Sequence, residues 1–370
     1  MFIKMAREKS VNGLLTALLC SGLAVAAERP APVATLDLNG QWPGPVATSL
    51  AFASEDTIAI ARYSGSDTVS RFIITIDWQG TKLQPLKSKS LPIYGGGGRF
   101  EHIYGVSNGR ILSAVAPNPQ LWSRDLNKLE DTPIKVLNPP TPQSGMAADW
   151  VNVNEWNLYR LGPSTSFVRA GRGEILSVSD AFIAVRGDRD LLRIEDSTSG
   201  VVAGSFQIPS RSVCAGTVTI LGTDRLMLTG CKGEARVLDF TGKERMVLPR
   251  GDGWGFRYGA SADGGRVLFD NFTRRISTSQ RISEFVESLV TLGMGPNIES
   301  KGEEIRVVDT KTGAICFDLD SPERQFGVAG QHHADLSPSG RYVAVVDASE
   351  LRVYMLPASC AAQWPSDRTR

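Results

Sequence analysis

The sequence has almost no net charge and no long apolar run. Its 40 lysines and arginines oppose 39 aspartates and glutamates, which leaves a formal charge of +1. This balance gives no electrostatic drive toward nucleic acid. The apolar run at residues 14–26 has roughly 13 residues, whereas a membrane-spanning helix needs about 20. We therefore expect neither a nucleic-acid partner nor a membrane span.

The apolar run belongs to an N-terminal leader. Basic residues precede the run and an Ala-x-Ala site ends it at Ala26, as in a secretory signal peptide. We therefore expect cleavage near Ala26 and a periplasmic or secreted protein with a net charge of about −1. Cys20 would suit a lipoprotein signal, but Leu19 before it is larger than the small residue that such signals have.

Helical periodicity is nearly absent, and the 37 glycines and 20 prolines favour short strands joined by tight turns. Six stretches share the order apolar strand, tight turn, apolar strand: residues 49–61, 103–114, 174–186, 217–230, 256–270 and 333–346. Four of their turns contain residues that accept positive φ: Asn108-Gly109, Gly222-Thr223, Asp263-Gly264 and Ser339-Gly340. The sequence therefore predicts repeated β-hairpins.

A second, more amphipathic pair of strands follows each hairpin except the last. The predicted turns of these pairs include Gln79-Gly80, Ser199-Gly200, Thr241-Gly242 and Thr312-Gly313. The last unit offers only one further strand, LRVYMLP at residues 351–357, while the strand-like segment PVATLDL at residues 32–38 has no partner. We expect these two segments to complete one four-stranded unit.

Four-stranded units at intervals of about 40–50 residues, such as ADLSPSGRYVAVV and IRVVDTKTGAICF, resemble the β-propellers of the WD40 and YVTN type. The resemblance covers residues 32–360 and implies an all-β fold, a single propeller of four-stranded blades. The Trp-Asp dipeptide of WD40 repeats is missing, which favours the broader YVTN and quinoprotein amine dehydrogenase-like superfamily. The expected domains are a signal peptide (1–26), the propeller (32–360) and a C-terminal tail (361–370).

Two irregular stretches, residues 138–172 and 273–302, lengthen the intervals between units. We therefore expect six blades with two insertions. The alternative is a seventh blade within 138–172, with a strand pair formed by Val151, Val153, Leu158 and Tyr159. The second stretch predicts a short amphipathic helix near 281–291, because its apolar residues recur at helical spacing: Ile282, Phe285, Val286, Leu289 and Val290.

Export allows the remaining cysteines to form disulfides. If Gly222 and Thr223 form a two-residue turn, Cys214 and Cys231 face each other directly, and a bridge would contribute about 3 kcal/mol. Cys316 and Cys360 remain as the other pair. No C-x-x-C spacing supports a metal site, which is the alternative.

Three short motifs suggest chemistry but do not have its context. GVSNG (105–109) matches a nucleophile elbow, yet Asn108-Gly109 predicts a hairpin instead of a strand entering a helix. GGGG (95–98) lacks a following Lys-Ser/Thr, and GDRD (187–190) lacks the further acids of a calcium loop. We therefore predict no catalytic residues, and the sequence implies no cofactor.

The candidate binding residues cluster by their place in the repeat. In a propeller, the inner strand of each blade begins on the face that also carries the links between blades. The sequence places the two insertions and seven residues on this face: His102, Trp150, Trp156, Trp254, Arg257, His332 and His333. A metal held jointly by the three histidines is a further hypothesis.

Two functions remain open at this point. The first is an exported, non-enzymatic and monomeric propeller that binds a protein partner, or a glycan, on the face with the insertions. The alternative is a propeller enzyme, or a redox or metal-binding subunit, with its site at the channel mouth.

Overall fold

A computed structural model describes residues 30–38, 46–64, 70–91, 102–114, 119–135, 137–138, 140–141, 143–152, 154–208, 218–229, 235–248, 254–272, 301–325, 334–346 and 350–360. These residues form antiparallel strands arranged as seven four-stranded sheets. Each sheet is one blade, and its strands are named A to D from the channel outward.

The bounds of the strands follow the order of the blades. Blade 1 contains β2 (Val46–Ser54), β3 (Thr57–Ser64), β4 (Ser70–Trp78) and β5 (Leu83–Leu91). Blade 2 contains β6 (Ile103–Val106), β7 (Arg110–Ser113), β8 (Gln120–Trp122) and β9 (Lys128–Asp131). Blade 3 contains β10 (Leu137–Asn138), β11 (Met146–Asn152), β12 (Glu155–Leu161) and β13 (Thr165–Arg172). Blade 4 contains β14 (Glu174–Val178), β15 (Phe182–Arg186), β16 (Leu191–Asp196) and β17 (Val202–Gln207).

The remaining three blades complete the ring. Blade 5 contains β18 (Val218–Leu221), β19 (Arg225–Thr229), β20 (Ala235–Asp239) and β21 (Glu244–Leu248). Blade 6 contains β22 (Trp254–Ala260), β23 (Arg266–Phe272), β24 (Lys301–Asp309) and β25 (Ile315–Gln325). Blade 7 contains β26 (Ala334–Leu336), β27 (Tyr342–Val346), β28 (Glu350–Met355) and, as its outer strand, β1 (Ala34–Asp37).

The expected number of six blades is wrong, and the alternative of seven is correct. Residues 138–172 are not an insertion, because they supply most of blade 3. Val151 lies in β11, Leu158 and Tyr159 lie in β12, and these two strands pair. Val153, the fourth residue of that alternative, lies outside the described residues. The inner strand β10 has only two residues before a stretch with prolines at 139, 140 and 142. Because proline has no N–H group to bond a neighbouring strand, these residues do not show the strand, turn, strand pattern that marks the inner hairpins of the other blades.

The N-terminal segment closes the ring as expected. Strand β1 pairs antiparallel with β28, with Ala34 opposite Val353 and Asp37 opposite Glu350. Leu38 and Leu351 are buried in the same core cluster as Phe52 and Ile58 of blade 1. Joining the two ends of the chain in one sheet removes the open edge that a terminal blade would otherwise present.

The disulfide predictions have different outcomes. Cys316 in β25 and Cys360 beyond β28 form a disulfide with a Cα–Cα distance of 4.8 Å, as predicted. Cys214 and Cys231 lie outside the described residues. The two-residue turn assumed in that prediction is wrong, because Leu221 pairs with Arg225 across a three-residue turn. The Cys214–Cys231 disulfide itself stays a prediction.

Arginines at the start of B strands join neighbouring blades. The Arg110 guanidinium donates to the carbonyls of Leu161 and Gly162 in blade 3. Arg266 of blade 6 donates to the carbonyl of Gly340 at 2.7 Å and to carbonyls beyond β28. Carbonyls left at strand ends thus gain charged donors from the adjacent blade.

The second irregular stretch connects β23 to β24 within blade 6. Residues 273–300 lie outside the described part of the chain, and with them lies the helix predicted near 281–291. None of the described residues belongs to a helix with the length and hydropathy that a membrane span needs.

Candidate functional site

Strand direction divides the propeller into two faces. The A–B and C–D turns lie on one, which we call the turn face. The B–C loops and the links from strand D to the next strand A lie on the other, which we call the connection face. The sequence-based site was expected on the connection face, much of which lies outside the described residues, including 92–101, 249–253, 273–300 and 326–333.

The structure describes only some of the predicted site residues. His102 directly precedes β6, and its carbonyl accepts the Ala114 backbone N–H at 2.8 Å. Trp254 and Arg257 lie within β22, although only their backbone is described. His332 and His333 fall outside the described residues, so the hypothesis of a three-histidine metal site stays a prediction. Within the described ranges, no three His, Cys, Asp or Glu side chains form a group that could hold a metal ion.

A pocket of about 800 Å³ opens on the connection face between blades 3 and 4. Its lining includes the B–C loops of both blades and the link between them. The lining residues are Trp150, Asn152, Asn154, Glu155, Arg172, Gly173, Glu174, Arg186, Gly187, Asp188 and Arg193. Pockets of about 300–1,000 Å³ are typical of small-ligand sites. We call this cavity the blade 3–4 pocket.

Two predicted tryptophans have different environments in blade 3. Trp150 on β11 and Trp156 on β12 are cross-strand partners. Trp156 is 1% exposed, lies in the core between blades 3 and 4, and has the Arg169 guanidinium 4.9 Å from its ring centroid. Trp150 is 41% exposed and lines the pocket. Trp156 is therefore a core residue, whereas Trp150 can contact a ligand.

Hydrogen bonds fix the charged groups of the pocket. The guanidinium of Arg186 donates from Nε to Glu174 Oε2 at 2.8 Å, and its Nη2 contacts the same oxygen. Arg193 Nη2 donates to the Arg172 carbonyl at 3.2 Å. The Arg172 side chain itself is 89% exposed, and its Nε lies 4.0 Å from Glu155 Oε1. Most of these groups are held in place, while Arg172 extends into solvent.

The B–C turn of blade 4 has an unusual backbone. Arg189 and Asp190 have φ values of 56° and 60°, in the left-handed region that glycine adopts most readily. Elsewhere among the described turns, this conformation is commonly taken by glycine, as at Gly200 and Gly242. Side chains kept in a strained turn suggest a role for those side chains. The turn directly follows Gly187 and Asp188, which line the pocket.

The turn face contains a buried acid that the sequence did not single out. Asp335 lies on β26, accepts the Phe52 backbone N–H of blade 1 at 2.7 Å, and lies beside Gly259 of blade 6. Protein atoms surround its carboxyl, although part of the residue still faces the channel. Burial raises the pKa of Asp335 to about 7, against the lowering effect of backbone N–H groups from Phe52 and Leu336.

Sequence reasoning identified Trp150 but missed the charged residues of the pocket. Glu174 and Arg186 were interpreted only as the ends of the hairpin 174–186, and GDRD only as a stretch without the further acids of a calcium loop. The available signal was GDRD itself, a short stretch with three charged residues, but only the structure shows that Arg189 and Asp190 adopt positive φ there. The contact across blades 3 and 4 has no signal in the sequence.

Comparison with family models and with curated proteins found no match. Solved structures do match. The Cps50 (Swd1) β-propeller domain of Myceliophteria thermophila is 12% identical, with 87% of this chain and 100% of that chain covered and a TM-score of 0.53. A chain of a mitotic checkpoint complex is 11% identical, with 89% of this chain and 96% of that chain covered and a TM-score of 0.51. KlHsv2 with loop 6CD replaced by a Gly-Ser linker is 9% identical, with 81% of this chain and 88% of that chain covered and a TM-score of 0.50.

At this level of identity the likeness concerns the fold. These neighbours are WD40 β-propellers. The chain has the fold of a seven-bladed β-propeller of the WD40-like type.

Proposed function

We propose that this chain is an exported, non-enzymatic β-propeller that binds a protein partner on its connection face, at the edge of blades 3 and 4. The observation that carries the proposal is the presence of three exposed apolar residues on the strands of blades 3 and 4 that border this edge. Trp150, Val151 and Leu191 are 41%, 53% and 37% exposed. We call these three residues the apolar rim.

The apolar rim has the composition of a protein interface. Such interfaces have aromatic and aliphatic residues at the centre and a polar border, and Trp and Arg are frequent among the residues that contribute most. Around the rim, Arg172 and Asp188 provide charged groups of both signs. A β-bulge between Trp150 and Asn152 interrupts the register at Val151, and bulges commonly redirect side chains at functional edges.

Export is supported by the leader and by the Cys316–Cys360 disulfide, since disulfides persist in oxidising compartments. The test is expression of the full chain in a bacterial host with a periplasm. We expect a periplasmic or secreted product with Ala27 as its N-terminal residue by mass spectrometry. Retention of the whole leader in a cytoplasmic product would contradict export.

Partner binding is tested by capture from the native extract with the mature chain as bait, quantified by mass spectrometry. The rim variant combines Val151→Glu and Leu191→Glu. The control is Val202→Glu, because Val202 is 50% exposed on the outer strand of blade 4, away from the rim. We expect a protein captured by the wild type and the control, with at least a tenfold loss in the rim variant. Equal capture by all three baits would reject the proposed interface.

A further inference from the structure

The blade 3–4 pocket has equal numbers of cationic and anionic side chains. Its guanidinium groups belong to Arg172, Arg186 and Arg193, and its carboxylates to Glu155, Glu174 and Asp188. An anionic ligand would meet three carboxylates, and a cationic ligand would meet three guanidinium groups. The pocket therefore offers no net charge that favours an ion, but it offers many hydrogen-bond donors and acceptors.

Much of this polar lining is held in place by bonds within the pocket. Arg186 is bonded to Glu174, and Asn152 Nδ2 donates to Glu155 Oε2 at 2.8 Å. The Gly173 backbone N–H donates to the Asn154 carbonyl at 2.9 Å, which ties the loop of blade 3 to the link between the blades. Fixed groups of this kind lower the ordering cost of binding a ligand.

Trp150 adds an apolar surface to this polar pocket. The side chain is partly exposed, and the backbone of Trp150 lies opposite that of Trp156, which is buried in the core. A large, rigid aromatic side chain gives contact area at a low cost in conformational entropy. The pocket thus combines one apolar wall with a ring of donors and acceptors.

Saccharides have the matching combination of groups. Their vicinal hydroxyls donate and accept hydrogen bonds, carboxylates accept them, and the guanidinium fork donates two in parallel. The C–H face of a sugar ring is apolar and fits an aromatic ring. The cavity of about 800 Å³ is open to solvent and has room for more than one sugar unit.

We propose that the blade 3–4 pocket binds a neutral oligosaccharide, with a sugar ring against Trp150 and its hydroxyls bonded to the charged and amide side chains. The inference goes beyond protein binding and does not depend on it. It rests on the pocket lining, whereas the protein interface was argued from the apolar rim. Trp150 belongs to both, but Val151 and Leu191 do not line the pocket.

The test applies the mature protein to an array of neutral and acidic glycans, followed by titration calorimetry with the neutral glycan bound best. Trp150→Ala should weaken binding at least tenfold, and Trp150→Phe should weaken it less because an aromatic face remains. Phe167→Ala is the matched control, since Phe167 is a 59% exposed aromatic on the outer strand of the same blade. It should bind like the wild type.

Two further measurements separate this proposal from its alternatives. Affinity for the neutral glycan should stay within twofold between 0.05 and 0.5 M salt, because a neutral ligand forms no ion pair with the pocket that salt could screen. Asp188→Asn should weaken binding even if Trp150→Ala fails to fold. The proposal would be overturned if the protein bound acidic glycans alone or no glycan at all. It would also be overturned if neither Asp188→Asn nor the Trp150 variants changed glycan binding. Loss of protein capture by the rim variant with glycan binding intact would show that the two sites are separate.

Discussion

Replacing Asp335 with asparagine should change how the stability of the propeller depends on pH. The Asp335 carboxyl joins the inner strands of blades 7 and 1 through the Phe52 N–H, and burial raises its pKa from 3.8 to about 7. The folded chain therefore holds a proton between about pH 4 and 7 that the unfolded chain releases. The free energy of unfolding should fall as pH rises through this window.

The size of the effect follows from the interval between the two pKa values. At about 1.4 kcal/mol per unit, the shift from 3.8 to about 7 corresponds to about 4 kcal/mol lost between pH 4 and pH 8. Solvation of the carboxyl through the channel would reduce this figure. Asparagine is neutral throughout and its side-chain oxygen can still accept the Phe52 N–H, so the variant should lose no stability from this source.

The assay is urea unfolding of the wild type and Asp335→Asn at several pH values from 4.5 to 8. The stability of the variant relative to the wild type should increase with pH by several kcal/mol. Asp125→Asn serves as a control for replacing a carboxyl with an amide, because Asp125 lies exposed in a turn. A constant difference between wild type and Asp335→Asn across the range would refute the reasoning.

Three further changes test how the ring is held together, each measured by urea unfolding. Cys316→Ser should lower the free energy of unfolding by about 4 kcal/mol, because the disulfide joins positions 44 residues apart. A change near zero would contradict a structural role for the disulfide. Arg266→Ala should lower the free energy of unfolding by about 2 kcal/mol, because its hydrogen bonds to carbonyls of blade 7 are lost. Arg245→Ala removes only a surface ion pair with Asp239 and should lower it by less than about 1 kcal/mol. Gly105→Ala should cost about 3 kcal/mol or more, because its Cβ would lie 1.8 Å from the Phe52 carbonyl oxygen, and a neutral effect would show that the inner strands can separate.

Much of the fold was predictable because each hairpin carries its own local signal. The stretch 103–114 forms β6 and β7 around a turn in which Asn108 and Gly109 have φ values of 64° and 69°. The same local reading rejected the nucleophile elbow at GVSNG, and the structure shows a hairpin there. Closure by residues 32–38 was predictable from a simple count of strands.

The seventh blade was harder to predict because its inner strand has lost the local signal. Leu137 and Asn138 pair with β11, but the prolines that follow leave no second half of an inner hairpin in the sequence. What makes these residues a blade is packing, since Leu158 and Trp156 fill the space beside Ile175 and Val178 of blade 4. Such contacts depend on residues far apart in the chain.

The candidate site shows the same division. The sequence marked Trp150 and Trp156 equally, and only the packing of blade 4 against blade 3 buried one ring and left the other at a pocket. Nor could spacing along the chain show that Asp335 would lie against Phe52, 283 positions away.

The sequence by itself determined the repeating hairpins and the closure of the ring by its two ends, because apolar alternation and turn residues are local signals. It predicted the Cys316–Cys360 pair as the remainder of four cysteines, and the structure shows that bridge. The tertiary structure decided the number of blades, the register of the hairpin near Gly222, and the polar lining around Trp150. These features depend on which side chains meet across neighbouring blades, and that is set by the packing of the whole ring.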